Sequence, residues 1–202
     1  MLRLIKIIFN ATLLVLAFIG FNAIGGQKYV ESAKTHITKF IQEKTLENAK
    51  KFGDFSNLHE EFEIDSTVNL FGYKAVIAEH KVSGQKMCIV DSKKKPLLTQ
   101  KDIKSDKLET QLQDLADKFK YQSVSFHEIK VVSRGNINVY GKQVPYAKFE
   151  AKANKLPFSD LSGIVASVTT ADNSEKLILS LSEKKRYSQL IAEEFYKNIK
   201  EN

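Results

Sequence analysis

Hydrophobic residues follow two different patterns along this chain. Residues 7–24 (IIFNATLLVLAFIGFNAI) form an almost unbroken apolar run. After that run, apolar and polar residues recur with the periods of helices and strands, which is typical of a domain that folds in water. The sequence therefore predicts a segment that enters a membrane, followed by one folded domain.

The apolar run is long enough to cross a bilayer. Its eighteen residues extend about 27 Å as a helix, against about 30 Å for the hydrocarbon core. Arg3 and Lys6 precede the run, and no acidic residue occurs before Glu31, as in a secretory signal or signal anchor. We therefore predict that residues 1–25 are a membrane anchor, in contact with the membrane through residues 7–24. The protein is then a single-pass protein of the cell membrane, with its C-terminal domain outside the cytoplasm.

A cleaved signal segment is the alternative for the same residues. Ala23 and Gly25 place small residues at the two positions that a signal peptidase inspects. Cleavage there would release a secreted or periplasmic protein. The lysines that follow the run would not by themselves place the domain outside, so the predicted orientation rests on the short basic N-terminus.

Residues 26–52 are predicted to form an amphipathic juxtamembrane helix. Apolar residues recur there at roughly helical spacing, namely Val30, Ala33, Ile37, Phe40, Ile41, Ala49 and Phe52. This helix either packs on its own domain or extends from the anchor as a stalk or self-association seam. Its apolar repeat is too short to predict a coiled coil.

Residues 53–202 are predicted to form an α+β extracytoplasmic domain. The pattern indicates two hairpins (73–82 with 86–91, and 163–170 with 175–182), three strands between them (123–133, 137–140 and 143–153) and two amphipathic helices (107–118 and 187–200). The short connections predict an antiparallel sheet, with the helices gathered on its one apolar face. Pro145 places strand 143–153 at an edge, or restricts its pairing to the part beyond the proline.

Net charge and lysine content decide which partners the domain is expected to have. The chain carries 31 basic and 24 acidic residues, and only three of the basic residues are arginines. Because bidentate recognition of bases and phosphates depends on arginine, we predict no nucleic-acid partner. Two basic clusters could instead contact an anionic surface such as lipid headgroups: Lys93, Lys94 and Lys95, and Lys184, Lys185 and Arg186. Solvated loops are the simpler interpretation of both clusters.

The sequence shows no motif for catalysis, cofactors or metals. It contains no G-x-S-x-G nucleophile motif and no glycine-rich phosphate loop. His59 with Glu60, Glu61 and Glu63 lacks zinc or calcium spacing and is typical of a half-exposed strand. Cys88 is the single cysteine, so no intramolecular disulfide can form, and its apolar neighbours predict that it packs as a small hydrophobic residue. We therefore predict no catalytic, cofactor-binding or metal-binding residue, and favour a protein that is not an enzyme.

These observations together predict an anchored binding or interaction module outside the cytoplasm, whose partner is another protein or an envelope component. Two alternatives stay open. One is an exported carrier of a small apolar ligand held between the sheet and the helices, which requires an apolar cavity. The other is a hydrolase whose site is not visible in the sequence. The oligomeric state does not follow from the sequence.

A retained anchor has a measurable consequence. We expect the mature protein to keep its full mass of 22.9 kDa and to stay with membranes after an alkaline carbonate wash, because hydrophobic burial holds the span in place. Intact-mass spectrometry and fractionation check this. A mass that lacks the N-terminal segment, with release into the soluble fraction, would instead establish the cleaved signal.

Overall fold

The computed structural model describes residues 45–70, 73–92, 95–118, 125–154 and 159–202. The strands are β1 (Phe62–Leu70), β2 (Tyr73–His80), β3 (Gln85–Ser92), β4 (Phe126–Val139), β5 (Lys142–Ala153), β6 (Asp160–Thr169) and β7 (Glu175–Glu183). The helices are α1 (Gln100–Lys104), α2 (Leu108–Lys118) and α3 (Gln189–Lys197). Residues 45–49 are also helical. The predicted α+β class with an antiparallel sheet is therefore confirmed.

The predicted anchor lies outside the described residues, as does most of the predicted juxtamembrane helix. Within the described ranges, no helix is long and apolar enough to cross a membrane.

The seven strands form one sheet in the order β1-β2-β3-β7-β6-β5-β4, and every neighbouring pair is antiparallel. Five of the six pairs join consecutive strands, so the sheet consists of two meanders, β1 to β3 and β4 to β7. The pair β3–β7 joins the meanders and brings together residues 95 positions apart, such as Gln85 and Ser180. We call this pair the seam.

Both faces of the sheet are apolar, so the prediction of helices on one face is wrong. The central strand β6 buries every residue from Leu161 to Val168, and a strand of this kind needs cover on both sides. Helix α3 covers the face that carries Met87, Ile89 and Ile178, here called the front face. Helices α1 and α2 lie on the opposite, back face with Ala147, Phe149 and Val165.

Helix α3 is attached to the seam by two buried polar side chains. The Tyr196 hydroxyl donates to the Leu179 carbonyl oxygen at 2.6 Å and accepts the Cys88 N–H at 3.2 Å, so it lies between β3 and β7. Burial raises the pKa of Tyr196 well above the ordinary tyrosine value, which keeps the phenol protonated and able to donate. The Gln85 side chain bonds Ser180 Oγ and both backbone groups of Ser188, each at 2.9 Å.

The chain enters the domain through a tightly packed segment. Ala49 and Phe52 lie in the front-face core, so the described end of the predicted juxtamembrane helix packs on its own domain. Gly53 has φ +152°, and a Cβ there would come within 2.7 Å of the Lys200 carbonyl oxygen, so only glycine fits. Tyr140 donates its hydroxyl to the Phe52 carbonyl oxygen, which fixes the same segment from the β4–β5 turn.

Strand β4 runs through Gly135 as one strand, where the sequence predicts two separate strands, 123–133 and 137–140. The reason is the Tyr146 ring of β5, whose atoms lie 2.8 Å from the position that a Cβ on Gly135 would occupy. An aromatic ring on a neighbouring strand thus fills the space of the missing side chain. The prediction for Pro145 is wrong in both forms. Strand β5 lies between β6 and β4 and pairs with β4 on both sides of the proline, from Lys142 onward, whereas its pairing with β6 begins only at Tyr146.

Helix α1 is an element that the sequence pattern does not predict. It lies in the polar connection after β3, and Thr99 and Asp102 start it with a capping box. Ser188 occupies the N-cap position of α3, but its side chain makes no cap hydrogen bond.

We expect Tyr196→Phe to lower the free energy of unfolding by about 1–3 kcal/mol, because two buried backbone groups of the seam lose a partner. Urea denaturation followed by circular dichroism measures the change. Leu190→Ala on the same helix is the control, since Leu190 is 75% exposed and its removal should change stability by about 0.5 kcal/mol or less. An equal, small effect of both substitutions would show that the hydroxyl does not support the seam.

Candidate functional site

An apolar pocket of about 140 Å³ lies on the back face between α2 and the sheet, partly open to the surface. Every residue of its lining has an apolar side chain: Leu97, Leu98, Leu112, Leu115, Ala116, Phe126, Ile129, Phe149, Ala151, Leu161, Val165, Leu177, Leu179 and Leu181. Strands β5, β6 and β7 form its floor and α2 forms its opposite wall. We call it the back-face pocket.

The N-terminal end of α2 is firmly fixed. Ile103 of α1 and Leu108 of α2 are fully buried against the sheet. The Arg134 guanidinium of β4 donates to the Ser105 carbonyl oxygen at 2.8 Å, and Gln111 donates to Asp102 at 2.9 Å. The start of α2 therefore packs closely on the sheet and leaves no space there.

Two polar contacts hold the rest of α2 at the edge of the sheet. Glu109 accepts the Val131 N–H at 2.7 Å, and Gln113 donates to the Phe126 carbonyl oxygen at 3.0 Å. Both partners belong to β4, the last strand in the sheet order. The helix thus covers backbone groups of an edge strand, which protects that edge from pairing with other chains. It also leaves Leu177, Leu179 and Leu181 of β7 only partly buried, and the pocket forms above them.

The lining decides which chemistry the pocket can accommodate. It offers no hydroxyl, amide or ionisable side chain, so a polar group placed inside would lose its hydrogen bonds to water without replacement. A hydrocarbon group has no hydrogen bonds to water and therefore loses none when it enters the pocket. An engineered apolar cavity of about 150 Å³ in another protein stays dry and binds benzene. The back-face pocket therefore fits an alkyl chain or a small ring.

A second constellation, at the β2–β3 turn, resembles a nucleophile with its base but lacks what acyl transfer needs. His80 Nδ1 lies 2.9 Å from Ser83 Oγ. His80 Nε2 lies 3.4 Å from a carboxylate oxygen of Glu61, which is distant from it in sequence. However, the N–H groups of Ser83, Gly84 and Gln85 are bonded to His80 Nδ1, the His80 carbonyl oxygen and Ser83 Oγ. These three N–H groups are therefore not free to stabilise an oxyanion, and the contacts close a turn.

Cys88 packs on the back face with Ala75, Ile77 and Val90. Burial raises the pKa of its thiol to about 12, so the thiol is protonated and unreactive at neutral pH. In the parts of the chain that the structure describes, no group of three histidine, cysteine, aspartate or glutamate side chains could hold a metal ion.

The described residues of the two basic clusters lie at opposite ends of the seam. Lys184, Lys185 and Arg186 follow β7, next to the first residues of β3, and all three are exposed. Lys95 follows the other end of β3, and Lys93 and Lys94 lie outside the described residues. Lys184 contacts Glu150 at 2.7 Å. Contact of either cluster with an anionic surface stays a prediction.

Comparisons of the chain with protein-family models and with curated proteins gave no match. The pocket itself is a site that the sequence pattern does not reveal. Its leucines are visible as an apolar helix stripe and as one face of a strand, and both patterns predict ordinary core.

We expect Ala116→Leu to stabilise the protein by about 0.5–2 kcal/mol, because the larger side chain fills apolar space in the pocket wall. Thermal unfolding measures the change. Thr110→Leu is the matched control, since it adds apolar volume on an exposed position of the same helix. Destabilisation by Ala116→Leu alone would mean that this wall is already packed.

Proposed function

We propose that the protein is a membrane-tethered, non-enzymatic binding domain that holds a small apolar ligand in the back-face pocket outside the cytoplasm. The observation that carries the proposal is a pocket of about 140 Å³ whose lining consists only of apolar side chains. The proposal joins the predicted anchor, residues 7–24, to the carrier alternative.

The energetics of apolar burial support a hydrocarbon ligand. Each methylene moved from water into the pocket contributes about 0.8 kcal/mol, so a chain of a few carbons gains enough to bind measurably. A polar end of the ligand stays at the open side, where water satisfies it. Recognition of this kind selects by size and shape, because no directional hydrogen bond is on offer.

The described chain ahead of β1 is fixed to the folded domain. Phe52 and Gly53 are packed against Tyr140 and the C-terminal residues, and Asp54 pairs with Lys200. A tether from the predicted anchor would therefore be held by the domain from Phe52 onward. The signal-like basic N-terminus supports a location outside the cytoplasm.

The hydrolase alternative has less support than ligand binding. In the turn after His80, the N–H groups of Ser83, Gly84 and Gln85 are bonded within the turn and are not free to stabilise an oxyanion. A protein or envelope partner is a further candidate for the same domain, and the pocket makes a small apolar molecule the first class to test.

Photoaffinity labelling tests the proposal. The full chain is placed in lipid nanodiscs and exposed to a hexanol derivative that carries a diazirine on its alkyl chain. We expect the label on peptides from α2, β5 and β7, with competition by excess unlabelled 1-hexanol. Ala116→Leu should remove most of this labelling because it fills the pocket, whereas Thr110→Leu should leave it unchanged. Labelling confined to residues 1–25, or equal in both variants, would overturn the proposal.

A further inference from the structure

The floor of the back-face pocket contains a glycine where its neighbours carry large side chains. Gly163 lies on β6 between Leu161 and Val165, and both of these residues line the pocket. Phe149 of β5 is the direct cross-strand partner of Gly163. A side chain at position 163 would therefore point into the pocket beside the Phe149 ring.

The Phe149 ring occupies the space of that missing side chain. Its Cζ and Cε1 atoms lie 2.9 and 3.1 Å from the position that a Cβ on Gly163 would take. Side chains on a strand normally stand roughly perpendicular to the sheet. The Phe149 ring instead lies over Gly163 of β6, in the floor of the pocket whose opposite wall includes Leu112 and Leu115 of α2.

We propose that Phe149, held down over Gly163, sets the depth of the back-face pocket and is the residue that determines the size limit of its ligand. This inference rests on the proposed function and assigns its size selection to one side chain. The ring packs against the backbone of β6 at Gly163, and the position that a Cβ there would take is also within 2.3 Å of the Ser180 carbonyl oxygen of β7. Because sheet backbone lies on this side of the ring, a ligand is limited to the space between the ring and α2.

Strand β5 supplies a matched control on its other face. Tyr146 also lies over a glycine, Gly135 of β4, but it faces the front-face core and does not line the pocket. Replacing either aromatic residue with leucine removes a ring that fills the space of a glycine. Only the replacement at position 149 should change the pocket.

The test measures the size limit directly. The full chain in nanodiscs is labelled with the diazirine probe, and straight-chain alcohols from 1-butanol to 1-dodecanol compete at equal free aqueous concentration. For the wild-type protein, we expect competition to strengthen about fourfold per added methylene until the pocket is full and then to stop improving. For Phe149→Leu, the strengthening should continue for at least one more carbon. For Tyr146→Leu, the limit should match the wild type.

The outcomes separate this inference from the proposed function. If the wild-type protein shows no competition at any chain length, the pocket does not bind alkyl chains and the proposed function fails. If the wild type shows a limit and Phe149→Leu keeps the same limit, the proposed function stands and the role of Phe149 is wrong. A limit that moves equally in both variants also overturns the role of Phe149, because a general loosening of β5 would explain that result.

Circular dichroism on each variant establishes that it is folded. Gly163→Ala is avoided, because the overlap with the Ser180 carbonyl oxygen would shift the backbone itself.

Discussion

The pairing of β3 with β7 is the interaction on which the rest of this domain depends. Among the described strands it is the one hydrogen-bonded pair that joins the two meanders, and it forms between residues up to 95 positions apart. Closing so long a loop is entropically costly, and hydrophobic burial on both faces offsets that cost. Tyr196 and Gln85 add directional bonds that fix the register and attach α3 to the seam. The seam also places the three leucines of β7 in the middle of the back face, where they form the floor of the pocket.

The two faces of the sheet are covered to different extents. On the front face, Phe195 and Tyr196 of α3 and Ile199 just after it pack onto the strands, and these side chains are fully buried. On the back face, contacts with β4 hold α2 near the edge of the sheet, so it covers the centre incompletely. The same contacts that protect the edge strand thus leave apolar surface without a close partner. A binding pocket is a direct consequence of this placement.

Strand β5 places an aromatic ring over a glycine of a neighbouring strand on each face of the sheet. Phe149 and Tyr146 each fill the space of a missing side chain on a neighbouring strand, at Gly163 and Gly135. Such pairs pin the strand register, since a shift by one residue would bring each ring onto a Cβ. On the front face the result is a filled core, and on the back face it is open volume. The difference lies only in what packs above the ring.

The amino-acid sequence by itself determined the local elements: the two hairpins, the helix stripes of α2 and α3 and the antiparallel α+β class. These elements depend on residue periodicity and turn chemistry within short stretches, such as Ser83-Gly84-Gln85. Such patterns can be recognised without knowing which segments pack against them in the fold. Tertiary structure decided the rest. The continuity of β4 through Gly135 required the Tyr146 ring. Cover on both faces required the seam, which makes β6 a central strand. The pocket, finally, is a gap between segments distant in sequence, and a gap leaves no pattern along the chain because each of its walls is composed like ordinary core.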